Sequence, residues 1–224
     1  MKPLEELIDN SETGWNLVKN WINEGKNNIE IIPSTFANAN EALYKTQVTT
    51  RSPMGAIIYH TGGILVDHGW IRILGSGSER LNRNLPDWNE GKSYYQTGEK
   101  PSFLLIADDV IGGFFMLNGG ALGNDLGKVY YFAPDSLEFE PLEINYSEFL
   151  LFCFNNNLNE FYQNLRWENW QEDATRISND KVFSFYPFLW TEEGKHINKI
   201  HREEIPIEEQ YFFNLKSRKQ LGLD

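Results

Sequence analysis

Six residues of this sequence have the chemistry to build a polar site: Arg51, Asp67, His68, Arg72, Asp108 and Asp109. They lie close to glycine-rich, turn-forming stretches, where the backbone leaves room for a ligand. In such a site Arg51 or Arg72 would hold an anionic group, while His68 or an aspartate would exchange protons. Asp108 and Asp109 are the clearest carboxylate pair, and two carboxylates divide into acid and base when their surroundings push their pKa values apart. Adjacent residues on one strand point to opposite faces, however, and aspartates in turns ordinarily accept local backbone N–H groups. The competing reading is therefore a structural turn, with Gly112 and Gly113 permitting a bulge or tight bend.

Other chemistries need arrangements that are missing. The histidines are His60, His68, His196 and His201, and no two stand one turn apart in a helical setting. His60 and His68 bracket a segment that reads as strand, turn and strand, so they would approach each other only across a hairpin, with Asp67 near. Surface or structural histidines are the simpler reading, and no metal is expected. The string Leu74-Gly75-Ser76-Gly77-Ser78 follows a strand, where a phosphate-cradling loop would begin. The residues after it supply neither a Lys-Ser/Thr pair nor a long amphipathic helix, so turn glycines suffice. Cys153, the single cysteine, lies between Phe152 and Phe154 and reads as core rather than nucleophile. One thiol also excludes an intrachain disulfide framework, which suits a reducing compartment. No cofactor is expected, and the residues lean away from an enzyme.

Charge and aromatic content point elsewhere. The 224 residues carry 20 Lys and Arg against 32 Asp and Glu, a net charge of −12 that repels phosphate backbones and anionic membranes and favours a basic protein partner. Seven tryptophans supply possible anchors. Trp88, Trp167, Trp170 and Trp190 are the candidates for an interface, with core packing as the alternative for each. No apolar run is long enough for a spanning helix and the start lacks a secretory pattern, so a soluble, cytoplasmic chain is expected.

The elements that must position these residues follow from periodicity. Residues 1–45 read as mostly helical, with Leu4, Leu7 and Ile8, then Trp15, Val18, Trp21 and Ile22, on one face and Thr13 as an N-cap. Residues 54–141 form the strand-rich core. There Ala56 to Tyr59, Ile64 to Val66 and Trp70 to Leu74 predict an antiparallel meander, because their connections are too short for a parallel crossover. Residues 75–100 read as a long surface loop. Strands resume at Phe103 to Ile106, Gly112 to Leu117 and Lys128 to Phe132. Residues 146–224 are helical and mixed: Ser147 caps a buried helix, Val182 to Trp190 is strand-like but limited by Pro187 to an edge, and Ile207 to Leu221 closes the chain as a helix. The expected fold is α+β, one domain over 1–224, with a mainly antiparallel central sheet flanked by amino-terminal and carboxy-terminal helices.

Several strings together are more specific than any single site. Gln47 to Ala56, Leu65 to Gly77 and Ala107 to Gly120, with Gly127 to Asp135 and Ser184 to Trp190, resemble the bacterial family labelled domain of unknown function 2625 over nearly the full length. That label implies no activity. More distantly, residues 103 to 155 are similar to the closing half of SUKH superfamily domains, α+β folds that often serve as immunity proteins binding bacterial toxins. The resemblance implies an immunity module that takes a toxin or effector, and the acidic balance and absent catalytic constellation make the expected partner basic and the module non-enzymatic. A small-molecule binder or enzyme using the six polar residues, and a structural interaction protein, are the alternatives.

Overall fold

The computed structural model describes residues 1–96 and 98–223. Two helices, α1 (Leu4–Leu7) and α2 (Thr13–Asn23), open the chain where one face of apolar residues is continuous in sequence. Asp9 makes the break, because its Oδ2 accepts from Ser11 Oγ at 2.7 Å and from the Thr13 amide at 3.3 Å. Thr13 is thus the first helical residue and Asp9 supplies the acceptor expected of Thr13. Strand β1 (Ile29–Ile32) follows, and then α3 (Phe36–Thr46), whose first turn is capped by Thr35 Oγ1 accepting from Asn38 N at 3.2 Å.

The next element departs from expectation. Ala56 to Tyr59, read as a strand, lie in helix α4 (Pro53–His60). Ser52 Oγ accepts from Gly55 N at 3.1 Å and Pro53 occupies the first turn, a strong start signal. The helix is buried from Met54 to Ile58, and a helix apolar on all sides carries no period from which its type can be read. Gly55 has a separate role here. A Cβ on it would meet Thr49 O at 2.1 Å, so the chain entering the helix packs directly on its backbone. Gly55→Ala is therefore expected to destabilise by about 1–3 kcal/mol, although alanine is the better helix former, and a urea titration will read it as a lowered midpoint.

Strands β2 (Gly63–Val66) and β3 (Ile71–Leu74) come next, then α5 (Leu85–Asn89), β4 (Phe103–Asp109), β5 (Phe114–Asn118), β6 (Lys128–Phe132) and β7 (Phe139–Asn145). All seven strands form one antiparallel sheet in the order β1 to β7, a complete meander. Its first strand is Ile29–Ile32, which pairs with β2 so that Ile31 lies opposite Ile64. Nor are residues 75–100 simply a surface loop. Leu81, Leu85 and Trp88 are buried, and Asn89 substitutes for a neighbouring strand: its Nδ2 donates to Leu105 O at 3.0 Å and its Oδ1 accepts from Leu105 N at 2.8 Å. That pairing falls at the irregularity of β4 between Leu105 and Ala107.

Helix α6 (Tyr146–Asn155) is capped by Asn145 rather than Ser147. Asn145 Oδ1 accepts from Glu148 N at 3.1 Å and Glu148 Oε2 accepts from Asn145 N at 2.7 Å, a reciprocal capping box. Helices α7 (Leu158–Phe161) and α8 (Trp170–Arg176) lead to a two-stranded sheet of β8 (Lys181–Tyr186) and β9 (His201–Pro206), and α9 (Ile207–Gln220) ends the described fold. Pro187 ends β8, as its missing N–H requires. The hairpin is held to the main sheet where Phe183 N donates to Val110 O at 2.7 Å. One apolar core joins both sheets, with Trp70, Phe114, Phe115, Phe132, Phe149 and Tyr162 among its fully buried side chains. Among the described residues no helix is long and apolar enough to cross a membrane.

Candidate functional site: a buried charge network and the polar residues around it

The β3–β4 register sets Arg72 opposite Asp108, on the same face of the sheet. Both are fully buried. Arg72 Nε donates to Asp108 Oδ1 at 2.6 Å, Nη1 to Lys181 O at 2.6 Å and Nη2 to Asp109 O at 2.7 Å. Burial pulls the guanidinium down from its ordinary range while Asp108 opposes the shift, and the three acceptors match its protonated form. A second arginine completes the pair. Arg83 Nη1 donates to Asp108 Oδ2 at 2.5 Å, Nη2 to Asn179 O at 2.8 Å and Nε to Asp180 Oδ1 at 3.1 Å. Asn82 N also donates to Asp180 Oδ2 at 2.9 Å. Desolvating such charges costs several kcal/mol per ion, which only excellent geometry and added hydrogen bonds offset. What the network achieves is mechanical: it ties β3 and β4, the 79–84 segment and the start of β8 to one carboxylate.

Asp109 points to the other face, as strand alternation requires. Its Oδ1 accepts from Ile111 N at 3.1 Å and Gly113 N at 2.8 Å, and its Oδ2 from Tyr131 Oη at 2.7 Å and Tyr162 Oη at 3.0 Å. Burial raises its carboxyl to about 6 against the pull of those hydrogen bonds, and burial together with Asp109 raises both tyrosines well above the usual phenol range. Gly112 turns in the left-handed region at φ +82°. Gly113 has no room for a side chain, since a Cβ would meet Tyr131 Oη at 2.2 Å. The two aspartates therefore belong to separate sets of partners, and neither lines the cavities described below.

The remaining polar candidates lie apart. Arg51 is 78% exposed and faces Asp9 at 3.7 Å. Asp67 and His68 make the left-handed turn between β2 and β3. Asp67 Oδ2 accepts from Arg166 Nη2 at 2.5 Å, and the Arg166 guanidinium lies 3.8 Å over the Trp170 ring and 4.7 Å over Trp70. His68 is exposed, meets Trp170 edge-on at 6.1 Å and lines a polar cavity of about 130 Å³ with Glu30, Arg80 and Asn179. His60 ends α4 and stacks on Trp15 at 4.8 Å, so it does not face His68 across a hairpin. Among the described residues, no three His, Cys, Asp or Glu side chains are grouped to hold a metal ion. The amides of Ser76, Gly77 and Ser78 donate to Thr61 O, Gly62 O and Leu81 O, so the glycine string has none of these left for a phosphate. Burial pushes the Cys153 thiol well above its usual range, consistent with a core position.

The four tryptophans separate in the same way. Trp88 is buried beneath Lys92 and Arg83, whose charges lie 4.1 and 4.9 Å from its ring, and Trp167 is buried against Phe183 and Phe185. Both serve the interior. Trp170 is half-buried under Arg166, while Trp190 is half-buried in a stack with Phe188 at 4.6 Å. Phe213 joins that stack at 5.2 and 5.8 Å, and exposed Tyr186 meets Phe188 edge-on at 5.8 Å. Sequence reasoning missed Arg83, Asp180, Tyr131, Tyr162 and Arg166. Their one signal was polarity within otherwise unremarkable segments, because each meets its partner across a long stretch of chain.

Fold and network define an α+β protein, built on a seven-stranded antiparallel meander with a salt-bridged polar centre. The chain belongs to the family described as protein of unknown function DUF2625, whose model matches residues 4–210. It is 43% identical over 223 residues to an uncharacterized protein of Haemophilus influenzae, covering 100% of this chain and 98% of that one. It is also 44% identical over 207 residues to the putative uncharacterized protein YbfG of Escherichia coli strain K12, covering 92% and 94%. No solved structure gives a significant match.

Proposed function

We propose that this chain is a non-enzymatic protein-binding module whose acidic face takes a basic partner, of the immunity type in which that partner is a toxin or effector domain. The observation that carries the reading is how unevenly the charge is distributed. Residues 101–180 hold 13 Asp and Glu against three Lys and Arg. Glu138, Glu140 and Glu143 are exposed in and beside β7, the edge strand of the main sheet, and Glu148 follows at the start of α6. Only Arg218, on Glu138, makes a salt bridge to any of these among the described residues. Such a field attracts a basic surface and speeds its approach. Exposed Pro141 and the left-handed Glu143 interrupt the edge, so the contact is one of charge rather than added strand. The aromatic stack of Phe188, Trp190 and Phe213 with Tyr186 is the anchor remaining once Trp88 and Trp167 are assigned to the core and Trp170 to its packing under Arg166 and against Trp70. The likeness of residues 103 to 155 to SUKH domains supports the immunity-type reading.

The double variant Glu140→Lys/Glu143→Lys is the test. Captured from a source lysate at low salt, the wild-type protein should bring down a stoichiometric basic protein that moderate salt releases. The variant, with unchanged thermal unfolding, should lose that protein by tenfold or more, about 1.4 kcal/mol or more. Equal capture by wild type and variant would overturn the proposal.

A further inference from the structure

We infer that the cavity beside Arg166 is an oxyanion site that takes the phosphate group of a small metabolite, independently of any protein partner. The cavity has a volume of about 360 Å³ and is lined by Asn164, Arg166, Lys195, His196, Ile197, Asn198 and Lys199. In a chain of net charge −12 this is a local inversion, because its wall holds two lysines, an arginine, a histidine and two amides but no carboxylate. Four acidic residues stand near it: Asp67, held by Arg166 Nη2 at 2.5 Å; Glu192, paired with Lys195 at 2.8 Å with both side chains exposed; and Glu168 and Glu193, both exposed, whose backbones bond Asn198 and His196. Lys199 is exposed and forms no ion pair among the described residues.

Arg166 forms the buried, charged part of the wall. Its side chain is 8% exposed, clamped between Asp67, Asn159 Oδ1 at 2.5 Å and the faces of Trp170, Trp70 and Tyr162. Its Nε–H is buried and has no acceptor. A buried donor on a charged group left unmatched costs free energy, which an acceptor recovers once the side chain turns its Nε–H toward the cavity, and charge-assisted bonds to phosphate oxygens are among the strongest available. The stacking fixes the guanidinium in advance, so its order is not lost on binding. Lys195 and Lys199 add mobile charge on the open side, which favours a dianion over a carboxylate. The wall offers no Phe, Tyr or Trp face for a base, and its one ring, the exposed His196, stands among charged and amide groups, so a compact phosphate ester fits better than a nucleotide held by stacking.

The test is an NMR titration of the ¹⁵N-labelled full chain with inorganic phosphate and with glycerol phosphate, using sodium chloride of equal ionic strength and glycerol as controls. The Arg166 Nε–H and the 195–199 amides should shift saturably with both phosphates, with a dissociation constant on the order of 1 mM, and not with either control. Lys195→Gln/Lys199→Gln, which alters only exposed side chains, should weaken binding about tenfold while the rest of the spectrum is unchanged. Shifts reproduced by chloride, shifts that fail to saturate, or unchanged affinity in the double variant would each overturn the site.

Discussion

Asp108→Ala is expected to destabilise the protein by about 3–5 kcal/mol, the largest effect of any single polar substitution in this chain. The carboxylate is fully buried and serves two arginines, so its removal leaves Arg72 with an uncompensated charge inside the protein and Arg83 held only by Asp180 and Asn179 O. Arg72→Met should cost less, because Asp108 keeps Arg83 and methionine retains apolar contact. In a double-mutant cycle the two changes should be strongly non-additive, the combined loss falling well below the sum of the separate ones. Urea titrations will read all three values. Hydrogen exchange adds a spatial test: Arg72 Nη1 and Arg83 Nη2 hold Lys181 O and Asn179 O, so in Asp108→Ala the amides of β8 and β9 should lose protection before those of β4 and β5. A loss under about 1 kcal/mol would mean that the network does not hold the hairpin.

Asp109→Asn should remove a pH dependence without removing the fold. Burial raises the carboxyl from 3.8 to about 6, so the folded state holds this proton more tightly than the unfolded chain. The associated stability is fully present below about pH 4 and is lost as the pH rises through about 6. A shift of about two units corresponds to about 3 kcal/mol. Asparagine keeps an acceptor for Ile111 N and Gly113 N, and its amide group can donate to the hydroxyls of Tyr131 and Tyr162, which turn to accept. The variant should therefore match or exceed wild type at pH 8 and fall behind it at pH 4. Carboxylates such as Glu30 and Asp87, held below their usual range by Arg80 and Lys45, lose stability toward acid in both proteins, so the difference between the two curves is the readout. Parallel curves would show that Asp109 does not titrate in this range.

Much of the architecture is legible in the residues. Gly-rich breaks separate β2 from β3, and β4, β5 and β6 from one another, so clearly that antiparallel pairing within each block follows, whereas the β3–β4 pairing that places Arg72 beside Asp108 is not legible, because residues 75–102 and α5 lie between the two strands. Helix α4 is not legible, because Ala56-Ile57-Ile58-Tyr59 is apolar throughout and only Ser52-Pro53 marks it as helical. Residues 75–100 mislead for a related reason. Their polar composition reflects side chains such as Asn89 and Arg83 that bond inward, whereas polarity in sequence suggests solvent. Asp109 accepts the local backbone N–H groups that a turn aspartate suggests, whereas Asp108 instead serves two arginines. Their partners Arg83, Tyr131 and Tyr162, 25, 22 and 53 residues away, and Asp180, which holds Arg83 from 97 residues away, are not legible, because such separations leave no local pattern. Trp88 and Trp167 show the same limit: an aromatic residue reads alike in a core and at a surface until its neighbours are known.

If the charged centre is structural and the proposed binding face lies on the surface, substitutions in the two should separate. Partner capture at low salt is measured for Asp109→Asn, in which the proton-exchanging group of the centre is gone, and for Glu140→Lys/Glu143→Lys, in which only the exposed edge has changed. Asp109→Asn should retain the wild-type amount of bound basic protein, whereas the edge variant should lose at least nine-tenths of it, about a tenfold change. Loss in Asp109→Asn at unchanged thermal stability, with full retention in the edge variant, would contradict this assignment.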